Sequence, residues 1–204
     1  KTQHKDNKRA KKYLQKSYFN MAVSIHLKQL GETSLENKKL YMDDISNNIT
    51  KIEKLTINHP NRAERKPSAF LYEYLLIWGA SFAQAGDIKS AQSKFDKLLS
   101  FVNKVKYPKI YNLGVLGSAE AMINSDSKSF VLIGIGRLKM AIEFMDTRKA
   151  EVIPVQEKMY LTLARAYAYL GDDKRFEART MYNKKFPNGM FTTEINDLPD
   201  KKSY

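Results

Sequence analysis

The sequence predicts an all-α chain of about four antiparallel helix pairs. Apolar residues recur at spacings of three and four over most of the 204 residues, and glycine, proline and capping residues cut that pattern into segments joined by short connections. The two stretches with strand propensity, 107–115 and 130–135, have no pairing partners for their backbone groups, so both are read as helix.

Taken in order, Ala10, Leu14, Tyr18, Met21 and Ile25 form the expected stripe of a first helix ending near Gly31. Thr33 and Glu36 have capping-box spacing and start a second helix, whose buried stripe is Ile45, Ile49, Ile52 and Leu55. A loop from His59 to Lys66 precedes Pro67, a residue suited to a first helical position because it lacks an amide proton. An aromatic-rich helix from Ser68 to Ala85 stops at Gly86, and Asp87 caps the next, which runs towards Val105. Pro108 separates it from a helix over 110–123. Residues 125–127 cap another that reaches about Asp146. Pro154 opens a helix that closes at Gly171, and Asp172 starts the last, ending before Pro187. The stretch from Met190 is expected to be an irregular tail. The expected organisation is a basic segment (1–16), a helical array (17–189) and that tail (190–204).

Composition narrows the function classes. With 43% hydrophobic and 28% charged residues the chain is of ordinary globular type, and its length suits one domain or a short repeat array. There is no Cys, which excludes disulfides, thiolate-bound zinc or iron–sulfur centres and a Cys nucleophile. His4, His26 and His59 are too scattered for a histidine metal site. No apolar run approaches the ~18 residues of a membrane span. A start at Lys1 instead of Met is expected to follow a removed segment, such as a signal peptide, an anchor or a further domain, and the compartment stays open between cytoplasm and envelope.

The net charge is +13, and residues 1–16 hold six Lys and one Arg against Asp6 alone. Lys8, Arg9, Lys11, Lys12 and Lys16 interleave with Tyr13, Tyr18 and Phe19, a pattern that suits phosphate contact with nucleic acid or attraction to an anionic membrane. A solvated helix start carries the same residues.

Internal spacing then gives the array its character. Leu75, Trp78, Gly79 and Phe82 are followed by Gly86 at a turn and by Ala91 and Phe95 on the next helix. Small residues at 79 and 91 allow two backbones to approach, while Trp78, Phe82 and Phe95 fill the wedge between pairs. A second copy reads Tyr160, Leu163, Ala164, Tyr167 and Gly171, with Ala178 and Tyr182 displaced by two residues and Phe176 where a small residue belongs. Leu113, Leu116 and Gly117 open a third copy in which Glu120 replaces the aromatic, and Met21, Ala22, Leu27 and Gly31 form a fourth. This pattern resembles the tetratricopeptide repeat, although the turn glycines at 31, 86 and 171 stand 55 and 85 residues apart, away from multiples of about 34. The resemblance covers about a third of the chain. It implies a right-handed α-solenoid with a concave groove lined by the first helix of each pair.

No catalytic motif accompanies the repeats. Gly134 and Gly136 have Lys139 where a dinucleotide loop needs its third glycine, and they are read as close-packing positions. Asp43–Asp44 and Asp172–Asp173 are neighbours that diverge by about 100° on a helix, so they are solvated or capping and not a catalytic dyad. The expected function is therefore non-enzymatic, without metal or cofactor: an adaptor that holds a peptide or helix of another protein.

By the geometry of the resembled family, the groove positions are Glu73, Leu76, Ala80 and Gln84, then Lys158, Leu161, Arg165 and Tyr169, with Tyr111 and Ser118 between. Lys158 and Arg165 lie two turns apart on one face, suited to an acidic ligand. They resemble part of the carboxylate clamp of chaperone-binding members, without its asparagines. The settings implied are bacterial secretion, pilus or envelope assembly. The alternative is the sensor domain of a transcription regulator, linked to nucleic acid through the basic amino terminus.

Overall fold

The computed structural model describes residues 2–57, 69–125, 127–145 and 150–198, and every regular element among them is helical. The chain divides into two compact units, Lys1–Phe101 and Val102–Tyr204. The expected loop at 59–66, Pro67, Ser68, Asp126 and Asp146 lie outside the described residues.

The first unit holds α1 (Thr2–Leu30), α2 (Leu35–Ile57), α3 (Ala69–Gln84) and α4 (Ile88–Phe101). Helix α1 packs along α2 and α3 along α4, while α3 also rests on both α1 and α2. Ile45, Ile49 and Ile52 are fully buried on α2, as the 3.6-residue period requires. The face of α1 differs from the expected stripe. Leu14 and Met21 are exposed, and Ala22 and Gln29 are buried in their place. A hydrogen-bond network explains the polar member of this set: the Gln29 amide donates to the carbonyls of Lys38 (2.8 Å) and Ser81 (3.1 Å), tying α1 to α2 and α3. Gln29 Oε1 in turn lies 3.0 Å from His26 Nδ1, and burial pushes His26 below the ordinary histidine value. Helix α1 continues without a break through residues 16 and 17.

The start of α2 corrects the expected capping box. Ser34, not Thr33, accepts the Asn37 amide (3.4 Å), and the carboxylate belongs to Glu32, not Glu36. Glu32 accepts the amides of Thr33 (2.8 Å) and Ser34 (3.0 Å) and the Asn37 side chain (3.1 Å), which holds its carboxyl below the usual range. At the other turn the expectation holds: Gly86 takes φ 78° and Asp87 Oδ1 accepts the Ser90 amide at 3.0 Å. Helix α4 ends at Phe101, short of Val105.

The α3–α4 contact is set by a glycine. A Cβ on Gly79 would stand 2.9 Å from Cε1 and Cζ of Phe95, which is itself fully buried beside Ala91. Trp78 stacks with Phe82 (centroids 6.1 Å), donates to Ser46 Oγ on α2 (2.8 Å) and carries the Lys94 ammonium 3.7 Å from its ring centre. Lys94 is lowered from the ordinary lysine value, chiefly by burial.

The second unit holds α5 (Pro108–Ile123), α6 (Lys128–Phe144), a 3₁₀ turn (Ala150–Val152), α7 (Ile153–Leu170), α8 (Lys174–Lys185) and α9 (Thr192–Asn196). Helices α5 and α6 pair, α7 and α8 pair, and α7 rests on both α5 and α6. Pro108 occupies the first turn of α5 instead of preceding it, and Gly171 closes α7 at φ 68°. Gly134 fulfils its close-packing role, since a Cβ there would meet Ile123 Cγ1 at 3.0 Å and the Ala119 carbonyl at 3.1 Å. Gly136 does not, having nothing within 4 Å. The tail is not wholly irregular: α9 buries Ile195 and packs on both α7 and α8.

Two outcomes follow from this packing. Because the buried Phe95 ring already stands where a Gly79 side chain would go, Gly79→Leu should lower stability by about 1 to 3 kcal/mol or more, read as a depressed melting temperature by circular dichroism; unchanged melting would contradict the contact. His26 is lowered when folded, so the unfolded chain binds the extra proton first as pH falls through about 6.5. Stability should be full above that pH and decline below it, towards the folded-state value. His26→Gln should flatten this dependence in urea titrations between pH 7 and 5.

Candidate functional site

The cations singled out by the sequence lie on α7, and each has a carboxylate partner within the second unit. Lys158 Nζ is 3.2 Å from Glu120 Oε1 on α5, with the lysine side chain 44% exposed. Arg165 pairs with Glu194 on α9, both side chains remaining nearly half exposed. Thr162, one turn beyond Lys158, donates to the Lys158 carbonyl (2.8 Å) and lies 3.3 Å from Glu120 Oε1. The two cations of α7 are thus flanked by carboxylates from other helices, Glu120 of α5 at Lys158 and Glu194 of α9 at Arg165.

The position of Glu194 depends on how α9 is held. Glu157, buried on α7, accepts the Met190 amide at 2.9 Å, and the Tyr182 hydroxyl, 3.5 Å from the same carboxylate oxygen, accepts the Phe191 amide at 2.9 Å. Gly189 is required at this turn, because a Cβ would collide with the Tyr182 hydroxyl and come within 2.9 Å of Phe186 Cβ. Arg179 donates to the Leu198 carbonyl (2.9 Å) and Asn183 to Asn196 Oδ1 (2.9 Å), fixing the far end. Burial pushes the Tyr160 and Tyr167 hydroxyls of α7 above the ordinary tyrosine value, with Asp172 and Glu177 adding to the rise at Tyr167.

Other expected groove residues divide by exposure. Tyr169 is exposed and Tyr111 half-buried on the second unit; Glu73 is exposed and Leu76, Ala80 and Gln84 are half-buried on the first. Two leave the set. Leu161 is 1% exposed, because α7 is covered on more faces than a simple concave–convex alternation allows, and Ser118 is buried with its hydroxyl accepting from Arg137 of α6. Sequence reasoning missed Glu120, read only as a departure from an aromatic position, and Glu194, placed in the tail. A carboxylate at a position where the repeat takes an aromatic was the available signal for the first.

Among the described residues there is no group of three or more His, Asp or Glu side chains suited to a metal, and no helix is long and apolar enough to cross a membrane. Comparison with protein-family models, curated proteins and solved structures returned no match. What the arrangement offers chemically is two cations about 10 Å apart along one helix face, one paired with the partly buried Glu120 and the other with the exposed Glu194.

Tyr182→Phe removes the acceptor of the part-buried Phe191 amide, a loss of about 0.5 to 1.5 kcal/mol. The expected result is faster hydrogen exchange at the amides of residues 190–196, with those of α1–α4 unaffected. Equal exchange in both proteins would show that the hydroxyl does not anchor α9.

Proposed function

We propose that the chain is a non-enzymatic docking module of tetratricopeptide-like character, which takes an acidic segment of another protein on the α5–α7 face. The observation that carries this reading is the Lys158–Arg165 pair: two accessible cations at two-turn spacing, each neutralised only by a surface carboxylate. Exposed ion pairs contribute about 0 to 1 kcal/mol, so a ligand carboxylate replaces Glu120 or Glu194 at little cost. Tyr111 and Tyr169 supply apolar surface on the same two helices.

The likeness to the repeat family is supported by a recurring relation between neighbours. Helix α3 leans on both members of the pair before it, α7 does the same, and α9 takes the corresponding place on α7 and α8. In a repeat array that relation stacks each pair on the last, and a short terminal helix then covers the final apolar face. The right-handed solenoid, and a setting in bacterial envelope, secretion or pilus assembly, belong to this proposal.

A second reading rests on α1. Arg9, Lys12 and Lys16 are exposed along it, and Tyr13 is 73% exposed among them, a surface suited to a polyanion such as nucleic acid. Salt separates the two readings, because contact with several phosphates weakens steeply as salt rises.

The test is fluorescence anisotropy with a labelled, Asp/Glu-rich peptide of about 15 residues. Lys158→Glu combined with Arg165→Glu should abolish binding without lowering the melting temperature, and Glu194→Gln should tighten it a few-fold by removing the internal competitor. Unaltered affinity in the double reversal would end the proposal.

A further inference from the structure

Helix α6 turns Val131, Gly134, Ile135 and Leu138 into the second unit, and its opposite face carries five exposed apolar side chains interspersed with Ser129, Lys139 and Glu143. Leu132, Ile133, Met140 and Phe144 are all exposed, Met140 at 63% and Phe144 at 77%, with Phe130 exposed at the margin. On a helical projection Leu132, Ile133 and Met140 fall within about 60° of Gly136, and Phe144 within about 80°. Gly136 is itself exposed, and a Cβ there would touch nothing within 4 Å. An exposed mid-helix glycine costs about 1 kcal/mol relative to alanine, and nothing among the described residues uses the space that it leaves.

We infer that this face pairs with the same face of a second copy, the two α6 helices crossing antiparallel at Gly136. A two-fold axis of this kind keeps the lateral position of each side chain and reverses its position along the helix. Ile133 then meets the partner's Met140, and Phe130 lies towards the partner's Phe144. Lys139 lays its aliphatic stem on the partner's Leu132, and Lys128 reaches the partner's Glu143. A parallel pair would instead set Met140 against the partner's Lys139, burying a charge beside a thioether without a counter-ion. The antiparallel arrangement therefore matches apolar with apolar and cation with anion from one sequence, as an isologous interface demands.

The size of the face fits a second copy. The exposed stripe is of the order of the largest patch on a typical monomer, about 300 to 600 Å² and often functional, and the charged side chains beside it extend it towards the about 800 Å² per partner that a standard dimer covers. The glycine at the crossing allows the backbones to close on each other, as Gly79 allows within the first unit.

The experiment is sedimentation equilibrium of the full chain at 150 mM salt, where charges beyond about 8 Å are screened, from 1 to 200 µM. The wild type should show a monomer–dimer equilibrium in that range; a monomer throughout overturns the inference. Ile133→Glu with Met140→Glu should raise the dissociation constant at least about tenfold while the circular dichroism spectrum stays the same. Gly136→Ala should raise the melting point of the isolated monomer yet weaken the dimer, an opposition that a folding defect does not produce. Lys128→Glu and Glu143→Lys should each weaken association, and together restore it. A dimer that persists in the double glutamate variant, or no recovery in the charge swap, rejects this interface.

Discussion

The distance between α3 and α4 is fixed by the absence of one methyl group. With the Phe95 ring occupying the space that a Gly79 side chain would need, the two helices close to a separation at which Leu75, Ala91 and Leu98 are sealed from water. That spacing also fixes where Trp78 emerges. Its indole reaches back to Ser46 on α2, and its outer face receives Lys94 from α4. One small residue thereby determines both the contact within a pair and the contact with the pair before it. Gly134 repeats the device in the second unit against Ala119 and Ile123, and Ala164 and Ala178, both buried, are the small residues of α7 and α8.

Between successive pairs the fold relies on polar groups as much as on apolar ones. Gln29 spans three helices with a single amide, and its burial is tolerated because both donors and the carbonyl oxygen are engaged. Glu157 plays the equivalent part in the second unit, drawing the Met190 amide and the Tyr182 hydroxyl to one carboxylate oxygen. Both are directional contacts, and each specifies the register of the element that it holds: α3 against α1 in one case, α9 against α7 in the other.

Helix existence was legible in the sequence because periodicity and punctuation are local. The turn glycines at 86 and 171, the Asp87 cap and the isoleucine stripe of α2 all follow from neighbours within a few positions, whereas Phe95, expected between pairs, fills the space at Gly79 within its own pair. What failed was decided by partners far away in the chain. The stripe of α1 rotated towards Gln29 because the Ser81 carbonyl, 52 residues on, accepts its proton. Leu161 left the expected groove because α7 is enclosed by neighbours on several sides. Within the expected tail α9 forms because Glu157 and Tyr182 supply hydrogen-bond partners that the local sequence does not contain. For the candidate site, the shared helix face of Lys158 and Arg165 was readable from their spacing, and their carboxylate partners were not, since Glu120 and Glu194 reach α7 only through tertiary packing.

On the proposed reading, those carboxylates change the kind of selectivity that a strongly basic chain can have. A protein of net charge +13 attracts any polyanion at long range, and bare cations on the α5–α7 face would add to that indifference. Pairing with Glu120 and Glu194 removes the long-range field of Lys158 and Arg165 while leaving both groups accessible. A single carboxylate arriving from solution then exchanges one weak surface pair for another and gains almost nothing. Two carboxylates fixed about 10 Å apart on one segment displace both internal partners at the entropic expense of one binding event, and the second contact is intramolecular once the first has formed. On the proposed reading, the internal ion pairs are therefore a filter for ligand geometry, which favours an ordered acidic segment over a diffuse polyanion.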